Sequence, residues 1–160
     1  FISGFNSRLR QGKPRYDTPW DDAERVAFAA FTSPDQLVHA LALDDADERA
    51  SAERAMRSIR HVKTSYWDWF ENEAYLRSRL DDLLLIGRTE RLADDFERLR
   101  EALTLPDDVQ LPDDAVGSHR SPRTGEPSLE PDAVETLRRW YARDYDFIEL
   151  CDEIERERTG

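Results

Sequence analysis

A chain of 160 residues with 35 acidic side chains against 23 basic ones carries a formal charge of −12. That is the wrong sign for a protein that grips nucleic acid by its phosphates. Hydrophobic residues make up 39% and charged residues 36%, but four Trp, five Tyr and seven Phe supply the material of a core, which excludes a solvated, unfolded tail. The length suits one domain.

Taken in chain order, the first element lies at the start. Ile2, Phe5 and Leu9 recur at helical spacing, which predicts a helix over 1–11 that stops at Gly12 and Pro14. Phe1-Ile2-Ser3-Gly4-Phe5 reads as the middle of an element, so the sequence is expected to be a piece of a longer protein. Asp21 with Glu24 three residues on has the pattern of a capping box. The helix it opens is predicted to face inward through Ala23, Val26, Ala27, Ala30 and Phe31. Ser33-Pro34-Asp35-Gln36 is a second start signal, for a helix that buries Leu37 and Leu41 and carries His39 partly buried beside them. Asp44 to Glu48 is an acidic helix entrance, and Ala52, Ala55, Met56 and Ile59 form the inner face of the next helix. Tyr66-Trp67-Asp68-Trp69-Phe70 places four aromatics in five positions. It is either a substrate platform or, the commoner case, a hinge of the core.

Next comes Asp82-Leu83-Leu84-Leu85-Ile86-Gly87-Arg88, four apolar residues without interruption and then a glycine. Behind it Leu92, Phe96, Leu99 and Leu103 mark one helix face, with Thr89 as the expected N-cap and Glu90 in the first turn. The unit reads as strand, turn, helix. An apolar run with no polar alternation suits a strand covered on both faces, as in a parallel sheet, and a strand must pair with neighbours to satisfy its backbone. No other strand is evident, so its partners are expected on preceding polypeptide; the alternatives are a buried helical segment and a short linker that is merely hydrophobic. Leu105 to Pro131 is an irregular stretch punctuated by prolines, of a length that often marks a binding loop. Within it Ser118-His119-Arg120-Ser121-Pro122-Arg123-Thr124 is dense in anion-binding donors. Pro131 opens a last helical system with Val134, Leu137, Tyr141, Tyr145 and Ile148 inward, and Asp152 to Arg158 is expected to lie in solvent.

The chemistry-bearing residues are sparse. His39, His61 and His119 lack metal-ligand spacing, and there is no HExxH, GxSxG, P-loop or GxGxxG motif. Cys151 stands alone, which leaves neither an intrachain disulfide nor a cysteine zinc cage. No apolar run approaches the roughly 20 residues that cross a membrane. All basic residues but Lys13 and Lys63 are arginines, whose forked donors fit phosphate or sulfate; compositional bias explains the same fact more simply. Two readings stay open: an anion site built from Ser3, Arg8 and the Arg120–Arg123 loop, or a helical interaction module without catalysis.

Ser3-Gly4-Phe5-Asn6-Ser7-Arg8 resembles the end of the 3′-phosphate motif of sulfotransferases, in which an arginine is followed, after a spacer, by a serine that begins a helix. Tyr66 to Phe70, Leu85 to Leu92, Asp94-Asp95-Phe96, the His119-Arg120 loop and Trp140-Tyr141-Ala142-Arg143-Asp144-Tyr145 resemble that family in the order of its C-terminal half, closest to bacterial carbohydrate-sulfotransferase-like members. The resemblance implies an α/β, three-layer P-loop-like fold. Residues 1–160 would be the mostly α-helical C-terminal portion of a single domain, with one central strand near 82–87. It implies 3′-phosphoadenosine 5′-phosphosulfate as donor, bound through Ser3, Arg120 and Ser121, with His61 as a contact to a small-molecule or glycan acceptor. The phosphosulfate loop, the partner arginine and the catalytic base are expected before Phe1, so the isolated chain is expected to be inactive. No metal, no nucleic acid and a cytoplasmic location complete the expectation. The alternative is a non-catalytic helical protein-interaction domain.

Overall fold

A computed structural model describes residues 1–11, 18–112 and 129–159. The described residues are mostly helical and contain no β-strand. The helices are α1 (Ile2–Gln11), α2 (Asp22–Ala30), α3 (Pro34–Ala42), α4 (Ala46–Ser58), α5 (Arg60–Lys63), α6 (Trp67–Phe70), α7 (Glu73–Ser78), α8 (Leu92–Ala102), α9 (Pro131–Trp140) and α10 (Ala142–Thr159). The chain divides into two compact units, Phe1–Ser65 with Arg123–Tyr145, and Tyr66–Pro122 with Asp146–Gly160.

In the first unit the caps at Asp21 and Ser33 do what the sequence predicts, and Asp45 adds a third. The Asp21 carboxylate accepts from the Glu24 amide at 2.8 Å, and the Asp21 amide donates to Glu24 at 3.2 Å. Ser33 accepts from the Gln36 amide at 3.2 Å, and Asp45 accepts from the amides of Asp47 and Glu48 at 3.0 and 2.9 Å. Each satisfies helix-end donors that would otherwise need water. The core gathers Phe5 from α1, Ala27 and Phe28 from α2, Leu37 and Val38 from α3, Met56 from α4 and Leu137 from α9. Phe5 meets Phe28 edge-on with ring centres 5.3 Å apart.

The inner face of α2 differs from the expected one. Ala27 and Phe31 are buried as expected, but Ala23 and Ala30 are exposed, Val26 is 72% exposed, and Glu24 and Phe28 are buried in addition. The stripe is rotated because a charged residue lies at its centre. Glu24 is 1% exposed, and so is the side chain of Arg8 that meets it. Arg8 Nε donates to Glu24 Oε1 at 2.6 Å, and Nη2 donates to Oε2. The remaining guanidinium donors reach the carbonyls of Thr18 at 2.8 Å and Pro19 at 2.9 Å. The Arg60 amide donates to Glu24 Oε1 at 3.0 Å. Burial alone would raise the Glu24 pKa, but these donors outweigh it and hold the carboxyl at about 2.

α1 also approaches α5 closely at Gly4. A β-carbon there would stand 2.6 Å from the His61 carbonyl oxygen, a backbone atom that cannot swing aside. His39 lies exposed on α3, contrary to the expected partial burial, because its side of the helix faces away from Leu37, Val38 and Leu41. Of the inward set expected on α9 and α10, Leu137 is buried and Tyr141 and Ile148 are partly buried, but Val134 and Tyr145 are exposed, and Thr136 is buried in addition. The expected helical system consists of two helices that meet at Tyr141, whose hydroxyl donates to the Val62 carbonyl at 2.9 Å.

In the second unit Phe147 of α10 is the hub. Tyr66 and Phe70 stack on it with ring centres 5.1 and 5.2 Å away, and Trp67 meets it edge-on at 5.1 Å. Trp67 and Phe70 are partly buried against this core, while Tyr66 is 50% and Trp69 74% exposed, so the run belongs to the core in part. Leu76, Leu150, Cys151 and Ile154 complete this second core.

The strand expected near 82–87 is not formed. Leu80–Asp82 is a 3-10 turn, and residues 83–88 have no regular secondary structure; their two end residues are extended, Leu83 at φ −84°, ψ 112° and Arg88 at φ −121°, ψ 137°. They are neither helix nor sheet: no backbone–backbone hydrogen bond involves Leu84, Leu85, Ile86 or Gly87 among the described residues. Thr89 is not the helix cap either. It begins a 3-10 turn, Thr89–Arg91, and α8 starts at Leu92 with no side-chain cap.

Replacing Glu24 with Gln leaves the Arg8 charge buried without its counter-ion, and chemical denaturation should show a loss of about 3 kcal/mol. The same carboxylate sets a pH dependence. Its folded pKa lies below the ordinary 4.5, so its stabilisation is full above 4.5 and is lost as pH falls toward 2; in an acid titration of the unfolding free energy the Glu24→Gln variant should lack that component. Gly4→Ala should destabilise by about 1–3 kcal/mol, against alanine's helix preference, because the methyl group overlaps the His61 backbone. Gly87→Ala, where nothing lies within 4 Å of the added carbon, should leave the denaturation midpoint in place.

Candidate functional site

The second unit builds its polar chemistry around Asp95, which is 2% exposed on α8. One carboxylate oxygen accepts from the Arg88 amide at 2.8 Å and from Arg91 Nε at 3.0 Å, and the other accepts from Arg98 Nη1 at 2.9 Å. The Arg88 amide is the largest influence, and with the guanidinium groups it holds Asp95 below the usual carboxylate range. The segment 83–88 is thereby clamped where it ends. Arg88 then pairs with Asp152 and donates to the Ile148 carbonyl at 3.4 Å. Arg91 grips both oxygens of Glu155 at 2.7 Å. Arg77 reaches Glu73 at 2.7 Å, Glu153 at 3.2 Å and Glu157 at 3.4 Å. Asp152 to Arg158 is largely solvated, as expected, apart from the buried Ile154 and the partly buried Glu155, and its exposed carboxylates pair with arginines of the preceding elements.

Next to this clamp lies an open cleft of about 420 Å³. Its walls are Tyr66, Ile86 to Glu90, Phe147, Ile148, Cys151 and Asp152. Cys151 is buried, and desolvation pushes its thiol above the ordinary value, so it lines the cleft as a neutral side chain. Along the other side of the same segment runs an apolar groove of about 360 Å³, walled by Leu83, Leu84, Leu85, Leu92, Phe96 and Leu99. Leu84 and Leu92 are each 51% exposed there.

The residues expected to hold an anion are not brought together. Ser3 is exposed in the first turn of α1, a helix end that carries no acidic residue to offset its positive dipole. Arg8 is corrected: its guanidinium is buried against Glu24 and two carbonyls and faces no open site. His119, Arg120, Ser121 and Arg123 lie outside the described residues. His61 is exposed on α5. Desolvation, then repulsion from Arg8 and Arg60, lowers its pKa, so the imidazole is neutral at pH 7.

Glu24 and Asp95 were missed as organising residues. The available signal is an acidic residue inside an apolar stripe: Glu24 three and four positions before Ala27 and Phe28, Asp95 four positions before Leu99. No helix among the described residues is long and apolar enough to cross a membrane, and none of their His, Cys, Asp and Glu side chains form a group of three or more that could hold a metal.

If Asp95 clamps the end of the segment 83–88, Asp95→Asn should accelerate hydrogen exchange at the Arg88 amide and lower the melting temperature, while exchange in α4 stays unchanged.

Comparison with protein-family models, with curated proteins and with solved structures finds no match to this chain.

Proposed function

We propose that this chain is part of a sulfotransferase domain that moves a sulfuryl group from 3′-phosphoadenosine 5′-phosphosulfate to a hydroxyl group, on a carbohydrate acceptor. The observation that carries this reading is the segment 83–88. It is apolar, its end residues Leu83 and Arg88 are extended, its central backbone groups have no backbone partner among the described residues, and it leads through a clamped turn into α8. A strand of a parallel sheet with layers on both faces has that character. The α/β fold of the reading rests on this segment pairing with further strands.

The reading gives Ser3 the donor's 3′-phosphate. Ser3 is exposed on α1 in a turn that carries no carboxylate, a setting that suits an anion. Arg120 and Ser121 are the further donor-binding candidates, and His61, neutral at pH 7, is the acceptor-contact candidate. In the transfer, the acceptor oxygen forms a bond to sulfur as the bond from sulfur to the 5′-phosphate oxygen breaks, and a base takes the acceptor's proton. The resemblance puts that base and the phosphosulfate loop on polypeptide outside these 160 residues.

A second reading, a non-catalytic interaction domain, is favoured by one observation: the apolar groove with Leu84 and Leu92 half exposed. Calorimetry on the intact protein separates the two. The sulfotransferase reading expects 3′-phosphoadenosine 5′-phosphate to bind, and Ser3→Ala to weaken it about tenfold, the loss of one charge-assisted hydrogen bond. An intact protein with no measurable affinity for that nucleotide sinks the reading and leaves the interaction domain.

A further inference from the structure

α3 and α9 pack against each other in the first unit and leave an open groove of about 470 Å³ beside them. Asp35, Val38, His39 and Ala42 line it at i, i+3, i+4 and i+7, one face of α3 about two turns long. The start of α9 supplies the other wall, with Asp132, Ala133 and the preceding Glu130. The lining is mostly apolar. Ala42 is exposed, Ala133 half-buried and Val38 fully buried. An apolar face left open between two helices suits an apolar side chain from elsewhere.

Charge narrows the choice of partner. Asp35, Glu130 and Asp132 are exposed, and their carboxylates make no hydrogen bond or ion pair among the described residues. No Lys or Arg lines the groove. Asp35 and Asp132 sit in first turns, where each helix end offsets about half a charge. About two negative charges therefore remain over an apolar floor, and low-polarity walls concentrate their field. A nucleic acid, an anionic membrane or a second copy of this chain, which itself carries −12, would be repelled. A small cation alone would leave the apolar floor in water. A polypeptide segment with Arg or Lys beside an apolar side chain satisfies both demands.

We propose that the groove between α3 and α9 docks a basic, amphipathic segment of a partner protein, with its apolar side chain over Val38, Ala42 and Ala133 and its cations against Asp35, Glu130 and Asp132. Docking there uses neither nucleotide nor acceptor, so it stands or falls apart from the sulfotransferase reading.

The test is a methyl-detected NMR titration of the intact protein with short peptides of arginine and leucine, of arginine and serine, and of glutamate and leucine. The arginine–leucine peptide is expected to shift the methyl signals of Val38, Ala42 and Ala133. The arginine–serine peptide lacks the apolar anchor and the glutamate–leucine peptide has the wrong charge, so each should bind at least about tenfold more weakly. A chain of −12 also attracts cationic peptides diffusely, and a pair of charge-removing variants locates the site. Asp132→Asn should weaken the arginine–leucine peptide about threefold. Glu149→Gln, which removes an exposed carboxylate of α10 in the second unit, should leave its affinity unchanged. No shift at the three methyls, equal binding of either control peptide, or equal weakening by the two variants would each overturn the proposal. So would shifts of those methyls on raising the protein concentration alone, which would assign the groove to a second copy.

Discussion

A carboxylate taken out of water must be met by as many donors as it can accept, and at Glu24 a helix start, an arginine and a distant amide meet that demand together. Its two oxygens hold Arg8 of α1, close the capping box of α2 and take the Arg60 amide at the start of α5. One side chain therefore fixes three helices relative to one another within the first unit. A well-packed hydrophobic pair of the same volume would often be as stable. The ion pair adds direction: forked guanidinium bonds are satisfied in one geometry, whereas apolar contacts tolerate sliding.

The second unit repeats the solution with a different carboxylate. Asp95 holds a backbone amide and two arginines, and Glu155, less than a fifth exposed by its side chain, binds Arg91 and lies near Arg98. The abundance of arginine over lysine, ambiguous as a statement about anions, has a structural use here. In each of these clusters the guanidinium's partner is a carboxylate of the chain itself. That accounts for a chain with so many charges folding without leaving a buried side-chain polar atom unpartnered among the described residues.

Local chemistry was legible in the sequence and rotational setting was not. The caps at Asp21 and Ser33 form as read, because a cap depends on a few consecutive residues, while the cap expected at Thr89 does not, since the chain makes a 3-10 turn there. The inner face of α2 was partly misjudged because apolar periodicity treats Glu24 as a surface residue, and only Arg8, sixteen positions away, makes its burial tolerable. At the candidate site, the apolar run 83–88 does not form the strand read from it, because no partner strand is present among the described residues. Arg8 looked available for an anion for the same reason that Glu24 looked exposed.

The segment 83–88 also explains why the turn at its end is the chemically interesting place. A stretch of backbone without backbone hydrogen bonds is costly where it is buried unless water or side chains meet its groups. Here the 3-10 turn Leu80–Asp82 fixes one end and the Asp95 carboxylate fixes the other. Asp95 takes the Arg88 amide and leaves those of Ile86 and Gly87 without a backbone partner, just where Tyr66 and Phe147 supply a flat wall. Were Arg88 not neutralised by Asp152, the same turn would attract phosphate or sulfate. Because it is neutralised, the cleft loses its pull on anions and keeps its capacity for hydrogen bonding, so the ion pair built to hold α10 also sets what the neighbouring cleft can recognise.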